Sequence, residues 1–276
     1  ETVVGDHDRI SGEGETPQEY CLLKFRGDAS MLVAATLRPE TVFGQTNLWV
    51  DGSGTYARAR VDGEEWICSQ QMPAKLRLQG HEVEELGTIA GRELIGQRFA
   101  APGVDRELMV LPADFCDAAI GSGIVTSVPS DAPDDWQGLA DLQDSAALCE
   151  QWGLNHKYIK EIEPLAIIDS GEFGTVPAPA LCQQMGVRDQ HDRTRLEKAK
   201  QQLYLHSFQH GTMLDSVGMG CAGLPVDAAR EKVCAALIAS GDAARYYELT
   251  GPARSRWLTD CTVKIVEDQW FLKYDD

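Results

Sequence analysis

A chain of 276 residues that is 43% hydrophobic, with 43 acidic against 25 basic side chains and a formal net charge of −18, can bury a substantial core but should repel a phosphate backbone at long range. Indiscriminate nucleic-acid binders are basic, so that class is excluded, and any nucleic-acid partner has to be held locally or by other parts of a longer protein. There is no run of 18 apolar residues for a membrane span, no basic-then-apolar leader and no CxxC for a cysteine zinc site; the eight cysteines are scattered singly, which fits a reducing, cytoplasmic compartment.

Residues 1–16 are acidic and Gly-rich and read as a linker, and the opening Glu in place of Met suggests a fragment of a longer chain. Short β-branched runs bounded by Gly and Pro predict strands at Glu19–Phe25, at Met31 onward, at Thr46–Asp51, at Glu65–Ser69, at Glu107–Pro112, at Gly123–Pro129, at Leu165–Ile168 and at Cys261–Leu272. Helical spacing predicts helices at Asp134–Cys149, with Ser130 or Asp131 as cap and Pro133 in the first turn, at Arg193–Phe208, and at Asp227–Ser240 ending at Gly241. The expected fold is mixed α/β: a barrel-like core sheet flanked by helices, with a peripheral helical insertion. The expected organisation is a single domain, with a strand-rich core over 17–165, a helix-rich insertion over 166–260 and a return strand over 261–276.

Two polar turns stand out. ATLRPETVFG (Ala35–Gly44) places two threonines, an arginine and a glutamate between two buried strands, where a plain hairpin would use Asn-Gly or Asp-Gly. Such a cluster suggests the floor of a pocket. GSGIVTSVPSDAPDD (Gly121–Asp135) runs from a Gly-rich entry through a buried strand to a helix start carrying Asp131, Asp134 and Asp135. Carboxylates there complement the helix dipole, worth about 0.3–1 kcal/mol each. Asp135 exceeds the needs of capping and is a candidate ligand for a cation or an ammonium. Each turn follows a strand, so the two ends could converge.

The remaining candidates are weaker. His206 and His210 have metal-ligand spacing on a helix but no accompanying HExxH pattern, and a surface pair explains them better. Asp51–Tyr56 (DGSGTY) lacks GK[ST] and reads as a hairpin turn. There is no GxSxG elbow, and no spacing supports a nucleophilic cysteine.

TLRPET with FGQTNLWV, and VPSDAPDD after GSGIVTS, closely resemble the editing domain of leucyl-tRNA synthetases, in the cytosolic eukaryotic or archaeal form. GRELIG (Gly91–Gly96), PQEYCLLK (Pro17–Lys24) and DQWFL (Asp268–Leu272) fit the same family, and the resemblance spans the chain. The HIGH-like and KMSKS-like motifs of amino-acid activation are absent, so the synthetic, ATP-binding site would belong to other parts of a parent enzyme. The resemblance implies hydrolysis of tRNA(Leu) esterified with norvaline, isoleucine or methionine while leucyl-tRNA is spared, because one methylene gives only about 1–3 kcal/mol of discrimination at a first site.

It also implies roles. Thr41 matches the threonine that blocks the leucine γ-branch. Thr36 and Arg38 line the pocket near the terminal adenosine and the ester. Asp135 matches the aspartate that holds the substrate α-ammonium; Leu37 departs from the bacterial threonine, so a water-positioning role does not carry over to it. Leu37, Thr126, Ser127, Val128, Ser130 and Asp131 are expected around the substrate. The implied partners are the CCA end of aminoacyl-tRNA, a terminal adenosine or AMP, benzoxaborole heterocycles that bridge the ribose diol, and the rest of the synthetase; no metal and no cofactor is called for. Asp135 is expected outside the core, so that its removal spares the fold. Two other readings stay open: a non-catalytic module that binds adenosine or a protein partner through the same pocket, and a metal-dependent hydrolase built on Asp131, Asp134 and Asp135.

Overall fold

The computed structural model describes residues 3–118 and 121–266. From the N-terminus, β1 (Arg9–Ser11) and β2 (Pro17–Arg26) lead to β3 (Met31–Thr36), a 3-10 turn over Pro39–Gly44, and β4 (Asn47–Val50). Then come β5 (Thr55–Val61), β6 (Glu64–Ser69), α1 (Met72–Leu78), β7 (Val83–Ala90), α2 (Gly91–Leu94), β8 (Arg98–Ala100), β9 (Glu107–Pro112) and β10 (Ile124–Ser127). The helical part holds α3 (Pro133–Asp144), α4 (Ala146–Gln151), α5 (His156–Lys160), β11 (Ile168–Asp169), α6 (Pro177–Met185), α7 (Arg193–His210), β12 (Thr212–Met213) and α8 (Val226–Ser240), followed by β13 (Ala243–Leu249) and β14 (Arg254–Ser255).

Ten strands form one mixed sheet in the order β10-β4-β9-β8-β2-β3-β6-β5-β7, with β13 also paired to β2. The β3–β6 and β4–β9 pairs are parallel and the other pairs antiparallel. The sheet curves until β10 lies beside β3, but no ladder joins those two strands, so the barrel-like sheet does not close. Alternation of side chains divides the core between its faces. Cys21, Leu23 and Phe25 of β2 join one cluster with Leu48, Val110 and residues of α8, while Leu22 joins Val33, Trp66 and Tyr246 in another. A third cluster seats α3 to α5 on Trp49 and Leu111, and a fourth joins α6 to α7.

Several elements differ from the sequence-based expectation. The first predicted helix breaks at Ser145, whose backbone is extended and whose hydroxyl accepts from Leu148 N (3.1 Å) to start α4. Leu165–Ile168 yields only β11, paired with β12 in a separate two-stranded ribbon. Cys261–Val266 has no strand, and the rest of the expected return segment, including DQWFL, lies outside the described residues. The segment from the helical part that rejoins the sheet is β13, which pairs with β2 from Ala243↔Leu23 to Leu249↔Pro17.

Candidate active site

Three small residues bring the two polar turns together. The Ser122 hydroxyl accepts from Ala35 N (3.0 Å) and donates to Ile124 O (3.0 Å), which ties the end of β3 to the start of β10. Gly123 sits at φ +73°, where a Cβ would lie 2.9 Å from Ala118 O, and its carbonyl accepts from Tyr56 Oη (2.8 Å). The third is Thr36, at the end of β3. Its Oγ1 accepts from Arg38 N (2.9 Å), while Thr41 Oγ1 donates to Arg38 O (2.8 Å). Both threonines therefore brace the turn, and Pro39 begins the 3-10 segment with its φ already fixed.

The result is a cleft of about 380 Å³ between the Thr36–Thr41 turn, β10, the start of α3 and one face of α7. All the expected site residues line it except Ser127 and Ser130, which are fully buried behind it. A second cavity, about 420 Å³, opens on the other side of Thr36 and Leu37 against α8. The carboxylates and the arginine of the polar turns converge in the first of these cavities, not in the second.

Asp135 is buried, contrary to its expected place outside the core, because α3 packs on β4. Its Oδ1 accepts from Trp49 Nε1 (3.0 Å) and its Oδ2 from Val128 N (2.8 Å). Burial pushes its pKa up to about 7 against the lowering effect of these two donors. Each oxygen keeps a second lone pair, so the carboxylate can still accept from a cation in the cleft. Asp131 is also buried and does not cap α3; the cap is Ala132, with no side-chain bond. The backbone N–H groups of Asp131 and Ala132 both return to Val128 O (3.0 Å each), and Asp131 Oδ2 accepts from Ser130 Oγ (2.6 Å). Burial raises the Asp131 pKa to about 6, and the charge of Arg38 opposes that rise.

Arg38 Nε donates to the buried Glu40 (3.0 Å), and the guanidinium lies against the Tyr204 ring, 4.8 Å from its centroid. Arg38 Nη2, Thr126 Oγ1 and Asp131 Oδ1 are buried with no hydrogen-bond partner, so a donor and two acceptor-capable oxygens in one cleft remain unsatisfied. Groups of this kind suit a ligand that offers both hydroxyls and a carbonyl.

The sequence reading missed the contribution of α7. Arg193, Lys200 and Tyr204 all line the cleft, and the first two pair with Asp134 (2.7 and 3.7 Å). Their i, i+7, i+11 spacing flanks the buried stripe Leu196, Ala199 and Leu203, a cue to a boundary position but not to what lies opposite. Tyr20 and Phe115 complete the apolar lining. Of the two helical histidines, His206 bonds Ser170 O through Nε2 (3.0 Å), and the two rings lie with centroids 5.0 Å apart.

No family model matches the chain. It is 40% identical to the leucine--tRNA ligase of Methanopyrus kandleri over 279 residues, covering 100% of this chain and 29% of that protein. The corresponding ligase of Aeropyrum pernix is 42% identical, with 99% of this chain and 29% of the relative covered, and the cytoplasmic ligase of Pongo abelii is 36% identical, with 98% and 24% covered. The chain thus spans under a third of the length of these relatives. Among solved structures, GlLeuRS-CP1 superposes with a TM-score of 0.74 at 28% identity over 83% of this chain and 98% of that one. The Plasmodium knowlesi cytosolic leucyl-tRNA synthetase editing domain shares the fold, with a TM-score of 0.76 at 22% identity over 84% and 97%. Among the described residues no helix is long and apolar enough to cross a membrane.

Proposed function

The chain belongs to the leucyl-tRNA synthetase family, as its editing-domain segment, and from that premise we propose that the cleft hydrolyses the ester of misacylated tRNA(Leu) and spares leucyl-tRNA. The observation that carries this reading is Asp135, a buried carboxylate fixed at both oxygens in the cleft that also holds Arg38 and Thr41. The α-ammonium of an aminoacyl ester is the cation it suits, since a charge-assisted bond to a desolvated carboxylate is worth roughly twice a neutral one.

The ester would lie between Asp135 and the Thr36–Thr41 turn. Aminoacyl esters are labile, and holding water and carbonyl in a fixed geometry can supply several kcal/mol without an activated nucleophile. Thr36 Oγ1 already accepts from Arg38 N, so its hydroxyl proton is available to the substrate. Arg38 Nη2 would stabilise negative charge developing on the carbonyl oxygen. The vicinal ribose hydroxyl of the substrate would assist proton transfer, and no histidine is among the residues lining the cleft. The terminal adenosine, AMP, or a boron heterocycle closed on the ribose diol would occupy the same place. The rest of a parent synthetase would hold the tRNA body, in the cytoplasm.

Thr41 would act as a volume. It is 6% exposed and its hydroxyl is held by Arg38 O, so its rotamer is fixed against the cleft. Thr41→Ala should let leucyl-tRNA be hydrolysed while isoleucyl-tRNA hydrolysis persists, whereas a catalytic threonine would lose both. The direct test of the reading is deacylation of isoleucyl- and norvalyl-tRNA(Leu) by this chain. Binding of an adenosine ester without turnover would support the non-catalytic alternative.

A further inference from the structure

We propose that Tyr204, on a helix outside both polar turns, is a positioning residue of the cleft: its ring fixes the Arg38 guanidinium so that the unpartnered Nη2 is presented to the ester. This inference rests on the editing reading above and adds a residue to it.

A free arginine side chain samples many rotamers, and restricting it costs about 2 kcal/mol. Arg38 is restricted from two directions. Glu40 accepts from its Nε edge at 3.0 Å, and Tyr204 covers one face with the guanidinium carbon 4.8 Å from the ring centroid. The pair leaves Nη2, which is buried and makes no hydrogen bond. A cationic donor held on one edge and one face, with a remaining nitrogen free inside a cleft, is preorganised for an acceptor that arrives with the substrate.

The support behind Tyr204 does not depend on the cleft. Leu196, Ala199 and Leu203 of α7 are fully buried, and Ala199 and Leu203 pack with Ala178 and Leu181 of α6. That packing sets the register of the helix. Arg193 and Lys200 then pin the same face of α7 to Asp134 at the start of α3. Tyr204 therefore reaches Arg38 from a rigid element, the arrangement that holds site geometry better than a loop does. Burial drives the phenol pKa upward; the Arg38 charge opposes that rise and the nearby Asp135, Asp134 and Asp131 charges add to it, so the ring over Arg38 remains the neutral phenol.

The test combines activity with a readout that needs no substrate. In the protein as it stands, Tyr204→Leu should lower the rate of isoleucyl-tRNA(Leu) deacylation about tenfold with little change in KM, the scale of a desolvated cation–π contact. Tyr204→Phe, which keeps the ring, should restore the rate. In an Arg38→Gln background, Tyr204→Leu should cause no further loss, because its effect runs through the arginine. The Arg38 Nε–H resonance should be shifted by the ring current in the starting protein and in Tyr204→Phe, and lose that shift in Tyr204→Leu. If Tyr204→Leu lowers the melting temperature enough to compromise folding, Tyr204→Met replaces it, filling the volume without a π face.

Additive losses in the double variant, or an Arg38 resonance unmoved by loss of the ring, would overturn the proposal. If the starting protein deacylates no misacylated tRNA, the editing reading fails by itself, and the resonance still decides whether Tyr204 fixes Arg38.

Discussion

Two opposing demands meet at Asp135. It must be ionised to hold an ammonium, yet burial favours its neutral form and raises its pKa from 3.8 to about 7. The folded protein therefore binds a proton that the unfolded chain has already lost between about pH 4 and 7. Stability contributed by this group is fully present below that window and falls as pH rises across it, by about 4 kcal/mol at most. Denaturant unfolding of the protein and of Asp135→Asn at pH 5 and pH 8 should show the starting protein losing stability relative to the variant; equal losses would count against the shift. Activity should run the other way, with kcat/KM for isoleucyl-tRNA(Leu), corrected for spontaneous hydrolysis, rising through about pH 7 as the carboxylate ionises. Asp135→Ala removes the acceptor of both Trp49 Nε1 and Val128 N. It should abolish deacylation and also cost about 2 kcal/mol of stability at pH 5, since buried donors are left unpaired. An unchanged denaturation midpoint at pH 5 would show that these two bonds do not matter.

Between elements, the site depends on how closely β3 approaches β10, and no ladder holds those strands together. Ser122 does so with one hydroxyl that serves Ala35 N and Ile124 O. Ser122→Ala should destabilise by about 1–3 kcal/mol through the unpaired Ala35 N–H, and should slow deacylation by displacing Thr36 from the carboxylates. Loss of stability with a normal rate would separate the two effects and show that the cleft survives without this tie. Both turns were legible in the sequence because each departs from ordinary turn chemistry: TLRPET puts hydroxyls and a guanidinium where Asn-Gly would suffice, and SDAPDD carries one more carboxylate than a helix start requires. Other features were not legible, among them α1, β7 and α6, which had no expected counterpart. β5 sets the exposed Arg58 and Arg60 beside the buried Ala59 and Val61, and β13 sets Arg245, Tyr247 and Glu248 around the buried Tyr246, so TYARARV and AARYYEL lack the apolar run that marked the other strands. Tyr204 follows an amphipathic helix whose pattern predicts a buried face but not the partner across from its edge. Asp131 was misplaced as a cap because the local pattern fits one, whereas the tight return to Val128 O carries it into the interior.

For the molecule as a whole, a net charge of −18 and a cleft whose rim cations among the described residues, Arg193 and Lys200, are both already paired with Asp134 leave little to attract a phosphate backbone. Binding of deacylated tRNA(Leu) to this chain should be weak, with a log K against log salt slope of about −1 to −2, reflecting contact with the terminal phosphates alone. A slope steeper than about −5 would mean that the chain has a basic tRNA surface of its own. The pairing of β2 with β13 also sets a timetable. β2 supplies the partner along which β3 and its threonine turn are laid, yet over Pro17–Leu23 its other edge pairs with Ala243–Leu249, more than two hundred residues later. At a ribosomal pace of about 5–20 residues per second, that gap lasts on the order of 10–45 seconds, during which one edge of β2 stands open while the helical segment emerges. The nascent chain reaches its least protected stage just after the first polar turn has been made, and the helices that later wall the cleft also have to deliver the strand that covers this edge.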